Sequence, residues 1–376
     1  MKKICYFINS DWYFDLHWLE RALCTQKAGY QVYIISHFID SSLIDKFTAL
    51  GFICFNSAMP SQSLNPVRFI LDSLKIFKLI RQVDPDVLHC ITIKPCLIGG
   101  VYSKLYSKNI VISFVGLGRV FTGSSLKFTF LRKLISPFYN YIFSNKKCLL
   151  TFEHENDRSC LVDLINVDNG KAFVIDGAGV NTSDYSFSPE QSRKLPTVLF
   201  ASRLLWSKGL DDLIEAKCIL HSRGVNFTLD VAGIATPDDP DSIPMPYLEE
   251  QHLAGNINWL GKCDNMKEVI ENANIVALPS VYPEGIPRIL LEASSVGRAI
   301  ISYNIGGCGF LIKDGVNGYL IDAGDVATLT DKLQYLLENE IERNTMGKNG
   351  RELVEKKFCS TIILAETLRL YKILLD

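Results

Sequence analysis

The sequence predicts an α/β protein of two doubly wound parallel-sheet domains, and three observations lead there. Short apolar, β-branched runs alternate with longer helix-periodic stretches along most of the chain, the pattern of parallel strands joined by crossover helices. At 376 residues the chain exceeds what one hydrophobic core usually holds. The alternation is broken by SDYSFSPEQSRKLP at 183–196, which has two prolines and no hydrophobic period and reads as an interdomain linker. The expected layout is a first domain at 1–182, the linker at 183–196, a second domain at 197–360 and a closing amphipathic helix from 361 to 376.

In the first half KICYFI, QVYIIS, DVLHCI, IVISFV and CLLTF are the candidate strands, with helical segments near 14–29, 66–82, 96–107 and 124–146. Ligands of such sheets gather at the carboxyl ends of the strands, so the residues just beyond each run matter most. The first run is followed by NSDWYFDLH without a glycine-rich phosphate loop, which argues against a dinucleotide site. His17 closes that segment, and for a single histidine in an amphipathic helix packing is the competing explanation. Val87–Ile91 reads as a buried strand that turns His89 into the sheet and leaves Thr92 and Lys94 at its carboxyl end. In SFVGLGRVFTG, Gly116 and Gly118 would let backbone N–H groups approach a ligand oxygen, or simply form a tight turn. Ser124–Lys147 places Phe128, Leu131, Ile135, Phe138 and Ile142 near one stripe, with Lys127, Arg132, Lys133, Lys146 and Lys147 around it. Such a segment suits a membrane interface or a core helix, and Pro137 is expected to kink it or begin a second helix.

The second half repeats the alternation. Strand TVLFA leads into SRLLWSKG, which carries Arg203 and Lys208 on one strand-to-helix loop. An arginine fork and a lysine ammonium together can offset the charge of a departing diphosphate. Two solvated loop cations are the plainer reading. Further on, NIVAL has the look of a buried strand, and PSVYPEGIPRILLEASSV then changes to helical spacing at Ile289, Leu290, Ala293 and Val296. Glu284 falls on the loop and Glu292 in the helix, roughly 12 Å apart if the intervening residues are helical. Two acceptors so placed can hold opposite ends of an elongated, hydroxyl-rich ligand, with the helix N-terminus between them for a phosphate. The alternative is a capping Glu284 and a solvated Glu292. After the next strand, Ile305–Gly309 offers backbone N–H groups to the same ligand. Asp84-Pro85-Asp86 and Asp239-Pro240-Asp241 both spell DxD, and both read as coincidence rather than as metal sites; no metal is expected.

Composition narrows the class. Eleven cysteines without any CxxC pair suggest free thiols in a reducing cytosol. No apolar run approaches the eighteen or so residues that cross a bilayer, and the N-terminal run reads as a first strand rather than a targeting segment. The net charge of −2 conceals an asymmetry: residues 1–147 hold 18 Lys/Arg against 8 Asp/Glu, and residues 148–376 hold 21 against 33. The basic half points to an anionic partner, and no nucleic-acid motif accompanies it.

The string EGIPRILLE resembles the Glu-x7-Glu signature of the family-4 retaining glycosyltransferases, and Arg203–Gly209 is similar to that family's R-x4-K-G motif. HCITIKP and GLGRVFT are similar to the subgroup typified by capsular and N-glycan N-acetylhexosaminyltransferases, in which an aromatic stretch also precedes a histidine at the place of His17. Two departures are that no Gly-Gly loop follows the first strand, and that Asn181 stands where the family's G-x-G-V-D turn has aspartate. The resemblance implies a GT-B architecture of two facing Rossmann-like domains with the C-terminal helix crossing back to the first. It further implies that Glu284 contacts donor-sugar hydroxyls and Glu292 the ribose. Gly285, Ile286, Arg203 and Lys208 would hold the diphosphate of a UDP-sugar. His17, Thr92, Lys94, Gly116 and Gly118 are acceptor-side or sugar-side candidates. The acceptor implied is a polyprenyl-diphosphate-linked saccharide, met by a cytoplasmic protein lying peripherally on an anionic membrane through its basic first domain. An epimerase of the same architecture acting on UDP-N-acetylglucosamine, and a non-enzymatic two-lobed binding protein, are the rival readings.

Overall fold

The computed structural model describes all residues except 40, 60–64, 118–125, 166, 178, 237, 238 and 283, together with the side chains of 66, 126–129, 131 and 134. The chain forms two compact units, Met1–Ala178 joined by Ile363–Asp376, and Gly179–Ile362.

The first unit is built on β1 (Lys3–Phe7), β2 (Gln31–Ser36), β3 (Ile53–Asn56), β4 (Val87–Ile91), β5 (Ile110–Phe114), β6 (Cys148–Phe152) and β7 (Ala172–Val174). Every pairing is parallel, in the order β3-β2-β1-β4-β5-β6-β7. β4, β5 and β6 are buried along their whole length, which is why their sequences are continuous apolar runs without alternation. Separate apolar clusters fill the two sides of the sheet. Ile363, Leu370 and Tyr371 of the last helix, Ser360–Leu375, belong to one of them.

A buried polar chain joins that helix to the sheet. His89 Nδ1 meets the Tyr371 hydroxyl at 2.6 Å, and His89 Nε2 meets Ser113 Oγ at 2.7 Å. Ser113 Oγ continues to Thr151 Oγ1, while the Tyr371 hydroxyl donates to that of Tyr6. With both ring nitrogens engaged and the ring buried, His89 is held neutral, its pKa pushed down to about 3 by burial and secondarily by the Arg21 charge.

The second unit repeats the plan with β8 (Thr197–Arg203), β9 (Thr228–Ile234), β10 (Asn258–Gly261), β11 (Ile275–Leu278), β12 (Ala299–Tyr303) and β13 (Gly318–Ile321). They pair in parallel in the order β10-β9-β8-β11-β12-β13 around one large core.

Two expectations are corrected. The 183–196 stretch is not a free linker, because its polar groups are committed to the second unit. Glu190 pairs with Arg343 at 2.5 Å and accepts from Asn274 Nδ2, and the Ser188 carbonyl accepts from Arg298. Both side chains of the Arg343–Glu190 pair are almost fully buried, so each charge requires the other. Within the basic segment near 124–147 the described residues form one helix, Leu126–Phe143, that continues through Pro137, so of the two outcomes expected there a second helix does not begin.

Candidate active site

In each sheet the strand order reverses beside the first strand of the unit, and the crevice at such a reversal is where α/β sheets bind ligands. In the second unit that point lies between the loops that follow β8 and β11. Arg203 ends β8; Leu204 and Leu205 are buried and anchor the turn; Trp206–Lys208 form a single 3₁₀ turn. Gly209 then takes φ +82°, and a Cβ there would sit 2.0 Å from the Pro279 carbonyl oxygen. Only glycine lets the two loops pass this closely.

The close approach delivers Lys208 to Glu284. The lysine side chain is 4% exposed and its ammonium is bonded to the Glu284 carboxylate, which remains 29% exposed. A buried ammonium without a counter-charge would be costly, so the pair is a condition of the fold as well as a chemical feature. The Tyr282 ring lies 5.2 Å from Lys208 Nζ and 5.9 Å from the Arg203 guanidinium, within cation–π range of both. Among the described residues no carboxylate forms an ion pair with Arg203.

Beyond Glu284 the loop is propped from behind. Gly307 N–H donates to the Glu284 carbonyl at 2.9 Å, and a Cβ on Gly307 would lie 2.5 Å from both Gly285 C and Ile286 N. Of the Ile305–Gly309 backbone donors expected to face a ligand, those of Ile305, Gly307 and Cys308 are already engaged within the protein, Gly307 in holding the Glu284 carbonyl. The helix Arg288–Val296 starts after Pro287, whose side chain offers no cap. Helical geometry thus begins four residues later than the spacing argument assumed. Glu292, 5% exposed, faces back along the helix to Arg288 Nε at 2.6 Å. Its carboxylate also lies against the Tyr185 hydroxyl, raising that phenol's pKa in addition to the larger effect of burial.

One supporting residue escaped the sequence reading. Asp241, in a string taken for coincidence, bonds through Oδ2 to both the hydroxyl and the N–H of Ser207. Its own carbonyl accepts the Trp206 N–H at 2.9 Å. It therefore clamps the turn that presents Lys208. The other DxD string is likewise structural, with Asp84 paired to Lys108 and Asp86 accepting the Lys3 N–H.

The reversal in the first unit lies between the loops after β1 and β4. Thr92 donates to Asn9 Oδ1 at 3.0 Å, bridging the two loops. It holds φ +73°, ψ 161° at the start of the helix Ile93–Leu105, a conformation that costs a β-branched residue on the order of 1–3 kcal/mol. Strain at a strand end in a ligand crevice is a functional signal. Lys94 lies near Asp72 and Arg68, with its pKa lowered chiefly by burial. His17 is half-buried and packs against Tyr13, ring centroids 4.4 Å apart. Gly116 follows β5 with φ +125°, and Gly118 lies outside the described residues.

This is the GT-B architecture of the nucleotide-sugar-dependent transferases. The sequence profile for "Glycosyl transferases group 1" matches 182–353 and that for "Glycosyl transferase 4-like" matches 3–152. The chain belongs to the family-4 glycosyltransferases and is a glycosyltransferase enzyme. Among its relatives is the N,N'-diacetylbacillosaminyl-diphospho-undecaprenol alpha-1,3-N-acetylgalactosaminyltransferase of Campylobacter jejuni, 25% identical over 82% of each chain. Another is the UDP-Gal:alpha-D-GlcNAc-diphosphoundecaprenol alpha-1,3-galactosyltransferase of Escherichia coli, 21% identical over 79% of this chain and 78% of the relative. Of the solved structures, a glycosyltransferase from Rickettsia africae superposes with a TM-score of 0.81 at 18% identity, covering 100% of this chain and 99% of that one. Anabaena Alr3699/HepE in complex with UDP and glucose gives 0.76 at 17% identity, covering 98% and 100%. At such identities these two structures speak for the fold alone.

Proposed function

We propose that the protein is a retaining transferase that moves a sugar, with N-acetylhexosamine as first choice, from a UDP-sugar to a saccharide carried on undecaprenyl diphosphate, in the assembly of a bacterial surface polysaccharide such as O-antigen or capsule. The Lys208–Glu284 pair at the strand-order reversal of the second unit is the observation that carries this reading. Lys208 and Arg203 bind the donor diphosphate together with the backbone at Gly285 and Ile286. Glu284 accepts from the sugar hydroxyls, and Glu292 accepts from the ribose. His17, Thr92, Lys94 and Gly116 serve the acceptor side or the transferred sugar.

In the reaction the bond between the anomeric carbon and the diphosphate oxygen breaks while the acceptor hydroxyl oxygen bonds to the same face of that carbon. The hydroxyl proton passes to the departing diphosphate oxygen, so no second carboxylate is required as nucleophile. The cations take up the charge that develops on the leaving group, and no divalent metal is involved. The names of the Campylobacter and Escherichia relatives support the lipid-linked acceptor, and the basic first half supports a peripheral position on the cytoplasmic face of a membrane.

A panel of UDP-sugars incubated in detergent with a polyprenyl-diphosphate monosaccharide and a chelator should yield one disaccharide product with retained configuration. Glu284→Ala should lose turnover on the order of a hundredfold or more while nucleotide binding survives. A fully active Glu284→Ala variant, or activity that requires added magnesium, would overturn the assignment.

A further inference from the structure

The basic charge of the first unit is concentrated in one segment. Residues 1–65 hold 5 Lys/Arg and 5 Asp/Glu, whereas residues 66–147 hold 13 and 3, the entire excess of the first half. That segment opens with the helix Pro66–Val83. Its inner face is ordinary core: Ile76, Ile80 and Val83 are buried. The outer face is not. Val67, Ile70, Leu71 and Leu74 are 66%, 60%, 55% and 55% exposed, and their spacing of three and four puts them on one stripe. Farther along the helix the exposed positions become Lys75, Lys78 and Arg81, while the sole carboxylate, Asp72, is turned inward beside Arg68.

The helix Ile93–Leu105 packs against this helix and also against Leu126–Phe143, so all three lie on one side of the sheet. On the last of them Phe130 and Phe138 are 72% and 58% exposed, with Lys133 exposed between them. One side of the unit therefore shows large apolar side chains interleaved with cations. No helix among the described residues is long and apolar enough to cross a membrane.

We propose that this side docks on an anionic lipid bilayer, with Val67, Ile70, Leu71 and Leu74 entering the headgroup boundary and Lys75, Lys78 and Arg81 meeting lipid phosphates. The pairing of the two features selects the occupant. A nucleic acid would engage the cations and leave the aliphatic stripe in water; a protein partner or a second copy would cover the stripe and leave an excess of 13 cations over 3 anions without a purpose. The insertion element is thus the helix beginning at Pro66, not only the aromatic segment near 124–147 that the sequence singled out. Lys94 sits beside Arg68 and Asp72, at the same end of the helix as the stripe. Resting on the lipid-linked acceptor proposed above, this arrangement brings an acceptor diphosphate in the bilayer surface toward the carboxyl end of β4.

The test is co-sedimentation of the full chain with phosphatidylglycerol–phosphatidylethanolamine vesicles and with neutral phosphatidylcholine vesicles, over a salt series. Wild type should partition onto the anionic vesicles, weaken as salt rises and retain a residual bound fraction at high salt. The combined variant Ile70→Ser, Leu71→Ser and Leu74→Ser should lower the partition at least about tenfold. Lys75→Glu with Lys78→Glu should abolish the preference for anionic vesicles. In an otherwise wild-type chain, Leu71→Trp should give a blue-shifted emission only with anionic vesicles, which reports insertion without weakening the stripe. Wild type left in the supernatant, a serine variant that binds like wild type, or a wild-type dimer that the serine variant dissolves would each overturn the proposal. Turnover on a short-chain, water-soluble acceptor should be the same in the serine variant and wild type. Absence of turnover with every UDP-sugar would instead refute the transferase assignment and leave the vesicle result intact.

Discussion

The two strand-order reversals make an internal comparison, because topology is shared and chemistry is not. In the second unit the crossing is charged: Lys208 and Glu284 meet there, with Arg203 also close to the Tyr282 ring. In the first unit the bridge between the loops is neutral, made by Thr92 and Asn9, and His89 in the strand that leads to it is kept uncharged. One crossing is held by an ion pair and the other by a neutral hydrogen bond. The difference follows from a few side chains at strand ends, since the sheets beneath are wound alike.

The comparison can be broken most directly at its charged member. Lys208→Met should reduce kcat on the order of a hundred- to a thousandfold in a radiolabelled transfer assay, because in the reaction proposed above the leaving diphosphate would lose an ammonium that offsets its charge. The loss should exceed that of any single change at the first unit's crossing. Next in size, Gly209→Ala places a Cβ against the Pro279 carbonyl at a left-handed φ, and calorimetry should show destabilisation of roughly 1–3 kcal/mol in the transition of the second unit alone.

Smaller effects sharpen it. Asp241→Ala should release the Lys208 turn and reduce kcat about tenfold, leaving two donors on Ser207 without a partner, whereas Asp241→Asn should recover most of the activity. Smallest is a pH effect in the first unit. His89 is neutral in the fold down to about pH 3 but takes a proton near pH 6.5 once unfolded. Between those values the unfolded state binds more protons, so stability must fall as pH falls. Denaturant titrations of wild type should follow pH with about one proton more of slope than His89→Gln across that window, and equal slopes would contradict a buried neutral imidazole.

Much of this was readable beforehand, and the gaps have physical reasons. Continuous apolar runs marked the buried parallel strands, and the burial of His89 followed from its place within one. Arg203, Lys208 and Glu284 stood out because they lie on loops that follow such runs, and Glu292 because it stands eight residues after Glu284 in a helix-periodic stretch, in patterns that resemble the family's motifs. Asp241 stayed hidden because an irregular loop has no period, so nothing local tells which backbone its carboxylate will clamp. Gly306 and Gly307 were visible as backbone donors, but their use in propping the Glu284–Ile286 backbone requires knowing that two distant loops touch. Tyr371 was read only as part of an amphipathic helix, its partner lying 282 positions away at His89. The stripe from Val67 to Leu74 shows the limit of periodicity most clearly. A helical spacing of apolar residues announces a helix and is silent on which of two greasy faces turns inward.

The buried chain from Tyr6 through Tyr371 to His89 has a bearing on biosynthesis. The unit that begins the polypeptide also needs the residues from Ile363 onward, whereas the other is one uninterrupted segment, Gly179–Ile362. The second lobe can therefore fold from contiguous sequence, whereas the first must bring together segments that flank the whole of the other lobe. A nascent chain halted just short of its final helix would expose a half-finished, positively charged lobe to the cytosol, the state most in need of a chaperone.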